Sequence, residues 1–413
     1  MSEETRRRPK GDKRARTRAA LMQAARELAR EKGFEAVTLV WRDGAAKVAA
    51  VGWRDLEAGL PMQRDSIFRI ASMSKPIVSA AALTMLQEGR FALEDPISRV
   101  APEFLRMRVL RDPDGPLEDT VPADRQITFD DLLTHRAGLT QAGFYSGPID
   151  AAHREALGPD LDNPLSPDAW IAALAALPLI GQPGAAFTYG RSTDLLGLLL
   201  ARMEGASLEE VLRHRVFEPL GMTDTGFAVP PDKRHRRAGF YGFDMTGKLK
   251  KLAAPPGSVA LAERPDDMEF ASGGAGLWST VDDYLAFARM FVDPSVKLLS
   301  PETLSLMTTN RLTDAQRLGA SMFGMPTFGT GSGFGLGVAV TLDPATAPVM
   351  RGKGGVGTVG WPGAYGGWWQ ADPTNGSVAI LLMHNMLELE QLTAGYGLGG
   401  YGAIMEFHAL ATA

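Results

Sequence analysis

The 413-residue chain contains no cysteine. That excludes a thiol nucleophile, a disulfide framework and any cysteine-ligated metal site. Histidine is scarce, and the six present (His135, His153, His214, His235, His384, His408) show no His-Glu-x-x-His or other metal spacing. No segment approaches the roughly 18 consecutive apolar residues of a membrane helix. The formal net charge of -5 implies no general affinity for nucleic acid or membrane. A G-x-S-x-G elbow is missing, because Gly190-Arg-Ser-Thr-Asp194 fails at its last position, which argues against an α/β-hydrolase. No G-x-x-x-x-G-K-[ST] exists, and Lys353-Gly-Gly reads as a loop hinge rather than a phosphate cradle. The stretch from Leu21 to Arg30 is charged and amphipathic, unlike the apolar core of a secretory leader, so the reading is cytoplasmic.

With 45% hydrophobic and 22% charged residues, the chain has the composition of a globular protein. Its head is unusual: residues 6–18 carry eight basic residues against one acidic. Residues 1–16 read as a disordered basic tail. A helix is expected from Thr17 to about Lys32, with Leu21, Ala24, Ala25 and Leu28 on one face and Gly33 ending it. Val37–Trp41, Asp43-Gly44 and Lys47–Gly52 form a hairpin pattern with Asp-Gly in the turn. A second helix is expected from Ser74 to about Glu88, with Pro76 tolerated in its first turn. The middle is helical and rich in turns. From Gly324 the chain becomes glycine-dense, with strand-like runs at Gly335–Leu342, Trp361–Trp369 and Ser377–Met383, and a short helix is expected after Gly395–Gly402. Strands at both ends imply one sheet built from the termini. The expected layout is an α/β domain of the α+β type from residues 17–90 and 261–413, with a mainly helical domain, 91–260, inserted.

The strongest chemical signal is Ser72-Met73-Ser74-Lys75. Three residues make nearly one helical turn, so the hydroxyl and the amine face the same cleft. A lysine whose charge is suppressed by its surroundings can take a serine proton. The free amides of a helix start can receive a developing oxyanion.

Phe68-Arg-Ile-Ala-Ser-Met-Ser-Lys-Pro-Ile77 resembles the nucleophile segment of the class C β-lactamase-like serine hydrolases, which include the family VIII carboxylesterases. Further segments resemble that family in order: Ile127-Thr-Phe-Asp-Asp-Leu-Leu-Thr-His-Arg-Ala-Gly-Leu139, Phe217-Glu-Pro-Leu-Gly-Met-Thr-Asp-Thr225, and Gly273-Gly-Ala-Gly-Leu-Trp-Ser-Thr280 followed by Asp282-Asp-Tyr284. The resemblance runs from about Val37 to Asn385. It implies an antiparallel sheet flanked by helices plus a helical domain, a serine acyl-enzyme, and neither cofactor nor metal.

The family's Tyr-x-Asn loop is matched by Tyr189-Gly190-Arg191, so the resemblance makes Tyr189 a general base and puts Arg191 at the substrate-binding asparagine's position. Its Lys-Thr-Gly element, often Trp-Gly-Gly in the esterases, is matched by Trp361-Pro362-Gly363. The amide of Ala364 is then the second oxyanion donor beside that of Ser72. The lost lysine removes the usual partner of a lactam carboxylate, which favours an ester without an anionic arm. The expected function is a carboxylesterase acting on short-chain acyl esters, with Ser72, Lys75 and Tyr189 catalytic and Trp361, Gly363, Ala364 and Arg191 lining the substrate site. His135 reads as a hydrogen-bonded structural residue. A β-lactamase or penicillin-recognising peptidase is the nearest rival. Residues 13–39 also resemble the first helix of TetR-type regulators, but no recognition helix follows, so neither nucleic acid nor membrane is expected as a partner. The sequence does not fix an oligomeric state.

Overall fold

The computed structural model describes residues 35–385, except 159–160, 244–248, 254–259, 262, 323–324 and 349–353, together with Phe407. The basic tail, the helix expected at 17–32 and the segment around Gly395–Gly402 lie outside the described residues.

The hairpin forms as the sequence indicates. Strands β1 (Ala36–Arg42) and β2 (Ala45–Val51) pair antiparallel, and Asp43 and Gly44 take φ of 54° and 78°, the left-handed geometry of a two-residue hairpin turn. Two short strands further along the chain, β3 (Phe68–Arg69) and β4 (Trp278–Ser279), pair with each other. The C-terminal part supplies β5 (Ser332–Phe334), β6 (Ala339–Thr341), β7 (Val359–Gly360), β8 (Trp368–Asp372) and β9 (Ser377–Met383). They join the hairpin in one seven-stranded antiparallel sheet of order β5-β6-β7-β8-β9-β1-β2. The two ends of the described chain therefore meet, with Val37 opposite Leu382 and Leu39 opposite Ile380.

Strand β9 is buried along its whole length because both faces of the sheet are covered. Val378, Ile380 and Leu382 enter the main core, while Ala379, Leu381 and Met383 pack with Trp368 and Phe407 on the other face. That double burial explains a continuous apolar run where a half-exposed strand would alternate.

Two strand readings need correction. Gly335–Leu342 is not one strand: Gly337 has φ of 86° and the Gly335 amide donates to the Val338 carbonyl, so the chain turns back between β5 and β6. Trp361–Gly367 is a loop, since Pro362 has no amide for a ladder and Gly366 sits at φ of 87°; only from Trp368 does the strand begin.

Helix α1 (Ser74–Gln87) has twelve of its fourteen residues buried, so it runs through the core. Between it and β4 lie helices including α2 (Phe129–Leu133) and α3 (Ser192–Glu204). Helix α4 (Val281–Ala288) packs beneath β1 and β9. A single apolar cluster extends from Val37 through Leu83, Leu132 and Leu199 to Leu382. No helix among the described residues is long and apolar enough to cross a membrane.

Candidate active site

Ser72 sits in a short 3-10 turn (Ala71–Met73) that runs directly into α1. The residue before it, Ala71, holds φ of 45°, a left-handed conformation that costs a residue with a Cβ about 1–2 kcal/mol. The turn is held by its surroundings. The Tyr284 hydroxyl donates to the Met73 carbonyl at 3.0 Å, the Leu277 amide to Ser74 Oγ at 3.2 Å, and the Ile70 amide to the Leu277 carbonyl at 2.9 Å. His384 fixes the approach to it: its Nε2 accepts from the Arg69 amide at 2.6 Å and its Nδ1 donates to the Ala238 carbonyl at 3.1 Å. Burial pushes this imidazole down to about 3, so it stays neutral.

About one turn after Ser72, at the second residue of α1, Lys75 is buried and donates to Ser72 Oγ at 3.1 Å and to the Gly274 carbonyl at 2.8 Å. Tyr189 comes from the loop before α3, and its hydroxyl donates to the same Ser72 Oγ at 2.9 Å. The Lys75 ammonium lies 4.7 Å from the Tyr189 ring centroid, and Trp361 Nε1 donates to the Tyr189 hydroxyl at 3.1 Å. Four segments far apart in sequence thus meet here: Lys75 and Tyr189 hold the serine oxygen, and Gly274 and Trp361 hold Lys75 and Tyr189 in turn.

The Tyr189 loop is gripped by the Leu132–Leu139 segment. The Thr188 amide donates to the His135 carbonyl at 2.7 Å, and a Cβ on Gly190 would lie 2.6 Å from the Leu139 carbonyl oxygen. His135 is fully buried, its ring 4.9 Å from that of Tyr189, with Nε2 in contact with Thr193 Oγ1 at 3.3 Å. Burial first, and then the Lys75 charge, hold its imidazole well below the usual range. It is the structural histidine the sequence indicates.

The 361–367 loop presses against the nucleophile turn. A Cβ on Gly363 would lie 2.6 Å from the Ile70 carbonyl oxygen, so only glycine permits this approach. Tyr365 packs on Ala71. Ala364, between them, is exposed, and its amide makes no hydrogen bond among the described residues. The Ser72 amide, in the first turn of its helix, has no intrahelical acceptor. Both amides thus lie free among the described residues, on two segments that press together.

Arg191 is a correction. It does not line the substrate site: its side chain is 1% exposed and turned inward, 3.7 Å from Asp194 and 6.0 Å from the centre of the Trp170 ring. At that depth the guanidinium has no route to solvent. Ser72, Lys75, Tyr189 and Trp361 are brought together, with Gly363 and Ala364 beside them. The sequence reading missed the Gly274 carbonyl, a backbone group without a side-chain signature, although the Gly273–Thr280 segment drew attention as a motif.

The β-lactamase family model matches residues 21–396. The chain belongs to the β-lactamase family. Among relatives in this family, Protein Rv1367c of Mycobacterium tuberculosis is 45% identical over 359 residues, covering 86% of both chains. Esterase EstB of Burkholderia gladioli is 33% identical over 387 residues, 91% of both chains. Among solved structures, EstCE1, described as a hydrolase with promiscuous acyltransferase activity, superposes with a TM-score of 0.75 at 27% identity over 94% of this chain and 99% of its own. The family places the chain among serine hydrolases, on the side of the family VIII-like esterases.

Proposed function

We propose that this β-lactamase-family hydrolase is a carboxylesterase that cleaves short-chain acyl esters through an acyl-enzyme on Ser72. The observation that carries the reading is Ser72 Oγ held at once by Lys75 Nζ at 3.1 Å and the Tyr189 hydroxyl at 2.9 Å. Hydroxyl rotors can reverse a hydrogen bond, so the Ser72 hydroxyl can donate to the Tyr189 oxygen, which stands beside Lys75. Ser72 Oγ attacks the ester carbonyl and its proton passes to the Tyr189–Lys75 pair. The amides of Ser72 and Ala364 receive the oxyanion, each such donor being worth about 2.7–4 kcal/mol in the transition state. Collapse breaks the bond to the alcohol, which leaves with the proton, and water activated by the same pair then releases the acid.

The β-lactamase alternative fares worse on two features of the chain. Trp361-Pro362-Gly363 offers no cation to a lactam carboxylate. Arg191, at the asparagine's position, is turned into the interior and leaves no side-chain amide in the site. The relationship to Esterase EstB supports the ester reading. The Ser72-containing segment, the Tyr189 loop and the Trp361 loop come from the first, middle and last parts of the chain, so we place the cleft between the sheet-bearing domain, 17–90 and 261–413, and the inserted 91–260 domain.

The test is turnover of p-nitrophenyl esters from acetyl to dodecanoyl by the wild type and Ser72→Ala. Rates should peak at the short chains, and Ser72→Ala should lose roughly 10³-fold or more without unfolding. A folded Ser72→Ala that keeps a tenth of the activity, or phosphonate labelling of another serine, refutes the assignment.

A further inference from the structure

We infer that Asp194 is a positioning residue for Lys75, acting through the Ser272–Gly274 turn, with Arg191 as its counter-charge; this rests on the reading of Lys75 as a proton-handling group. Asp194 stands in the first turn of α3 and is 3% exposed. A carboxylate at such depth is costly unless its lone pairs are filled. Those of one oxygen are filled by one short turn. Oδ1 accepts from the Gly274 amide at 2.9 Å and from Ser272 Oγ at 2.6 Å, and Arg191 stands 3.7 Å from Oδ2.

The turn is seated directly on the carboxylate. A Cβ on Gly274 would lie 3.0 Å from both Asp194 oxygens, and one on Gly273 would lie 2.8 Å from the Thr193 carbonyl oxygen. Ser272 Oγ also accepts from the Ala275 amide at 3.2 Å, and the Gly276 amide donates to the Ser272 carbonyl at 2.8 Å. What this brace aims is the Gly274 carbonyl, 2.8 Å from Lys75 Nζ. A lysine has four rotatable bonds and no geometric preference of its own. A fixed second acceptor selects the rotamer that also reaches Ser72. With Arg191 at the position where the resemblance puts the family's asparagine, the lysine here is held by a backbone carbonyl that the Arg191–Asp194 pair anchors.

A double-mutant cycle on the full-length protein tests this, read by kcat and KM for p-nitrophenyl butyrate and by the rate of phosphonate labelling of Ser72. Asp194→Ala should lower kcat about 10²-fold, as expected for displacement of a proton-transfer group, with KM changed by less than about threefold. In the Lys75→Met background, the same substitution should slow labelling by less than about twofold, because the group it positions is gone. Should Asp194→Ala fail to fold, Ser272→Ala, which removes one tie between turn and carboxylate, takes its place with an expected loss of about tenfold in kcat and the same non-additivity. A folded variant with wild-type kcat, or an equal loss in both backgrounds, overturns the inference. Lys75→Met at the wild-type rate would instead remove the proton-handling reading itself, whereas a slow Lys75→Met with an indifferent Asp194→Ala would leave that reading standing and remove only the clamp.

Discussion

Replacing Tyr189 by phenylalanine separates chemistry from packing. The ring contacts survive, since phenylalanine fills the same space beside His135 at 4.9 Å, Phe144 at 5.2 Å and Trp361 at 5.4 Å. Only the oxygen leaves. It takes with it one of the two hydrogen-bond partners of Ser72 Oγ among the described residues and the acceptor of the Trp361 indole. Loss of those hydrogen bonds should cost about 1–2 kcal/mol of stability, a small drop in Tm. The catalytic loss should be far larger. A positioned general base contributes roughly 10²- to 10⁴-fold, which is about 2.7–5.4 kcal/mol of activation free energy. Steady-state kinetics with p-nitrophenyl butyrate should show the loss in kcat rather than KM, and phosphonate labelling of Ser72 should slow in parallel. A folded Tyr189→Phe within roughly threefold of wild-type kcat would refute the assignment and leave Lys75 as the sole proton acceptor.

Gly363→Ala should lower kcat by about 10²-fold, because the new Cβ would meet the Ile70 carbonyl oxygen at 2.6 Å and push the Ala364 amide off the oxyanion position; an unchanged kcat would dissociate that loop from catalysis. For β-lactams, the missing charge-assisted contact at Trp361-Pro362-Gly363 should cost about 1.5–3 kcal/mol of binding, so kcat/KM for ampicillin should fall roughly ten- to a hundredfold or more below that for p-nitrophenyl butyrate; parity would restore the β-lactamase reading. Ile380→Ala, in a fully buried central strand, should cost about 2–5 kcal/mol in denaturant unfolding, and a loss under about 1 kcal/mol would contradict that burial. Glu35 is buried and its carboxyl is pushed up to about 8, first by burial and then by Asp55. The folded state therefore binds more protons than the unfolded one between pH 4.5 and about 8, and this group's contribution to stability declines across that window as pH rises. The Tm of Glu35→Gln minus that of the wild type should accordingly grow from pH 5 to pH 8, and a flat difference would refute the shift.

The parts of the site that were legible in the sequence are those with a local rule. Ser72 and Lys75 are three residues apart at a helix start, and that spacing alone puts them on one face. Asp43-Gly44 between two apolar strands dictates the hairpin. Tyr189 was legible through its flanking pattern. Arg191 misled because a charged loop residue is ordinarily solvated, and its i,i+3 spacing from Asp194 is equally common on exposed helix surfaces, so only the tertiary structure turns the pair inward. The Gly274 carbonyl had no such signal, since every residue has one, and only the tertiary structure selects which carbonyl meets Lys75. The split of Gly335–Leu342 was hidden for a related reason: glycine tolerates strand and turn alike, and packing decides between them.

The pairing of β1 with β9 bears on when activity can first exist during synthesis. Ala36 is placed opposite Met383, and the pairs Ser72–Tyr189, Lys75–Gly274 and Tyr189–Trp361 are separated by 117, 199 and 172 residues. Contacts of such range form slowly, because loop closure must be met before any pairing offsets it. At about 5–20 residues per second, a ribosome holds the first strand without its sheet neighbour for on the order of 20–80 seconds. Throughout that interval the edge of β1 facing away from β2 is open, and a nascent chain carrying Ser72 and Lys75 has neither its Tyr189 contact in place nor its oxyanion loop until the later segments emerge. Recovery of ester turnover after dilution from denaturant should therefore report the last long-range closure of the sheet rather than the early appearance of α1.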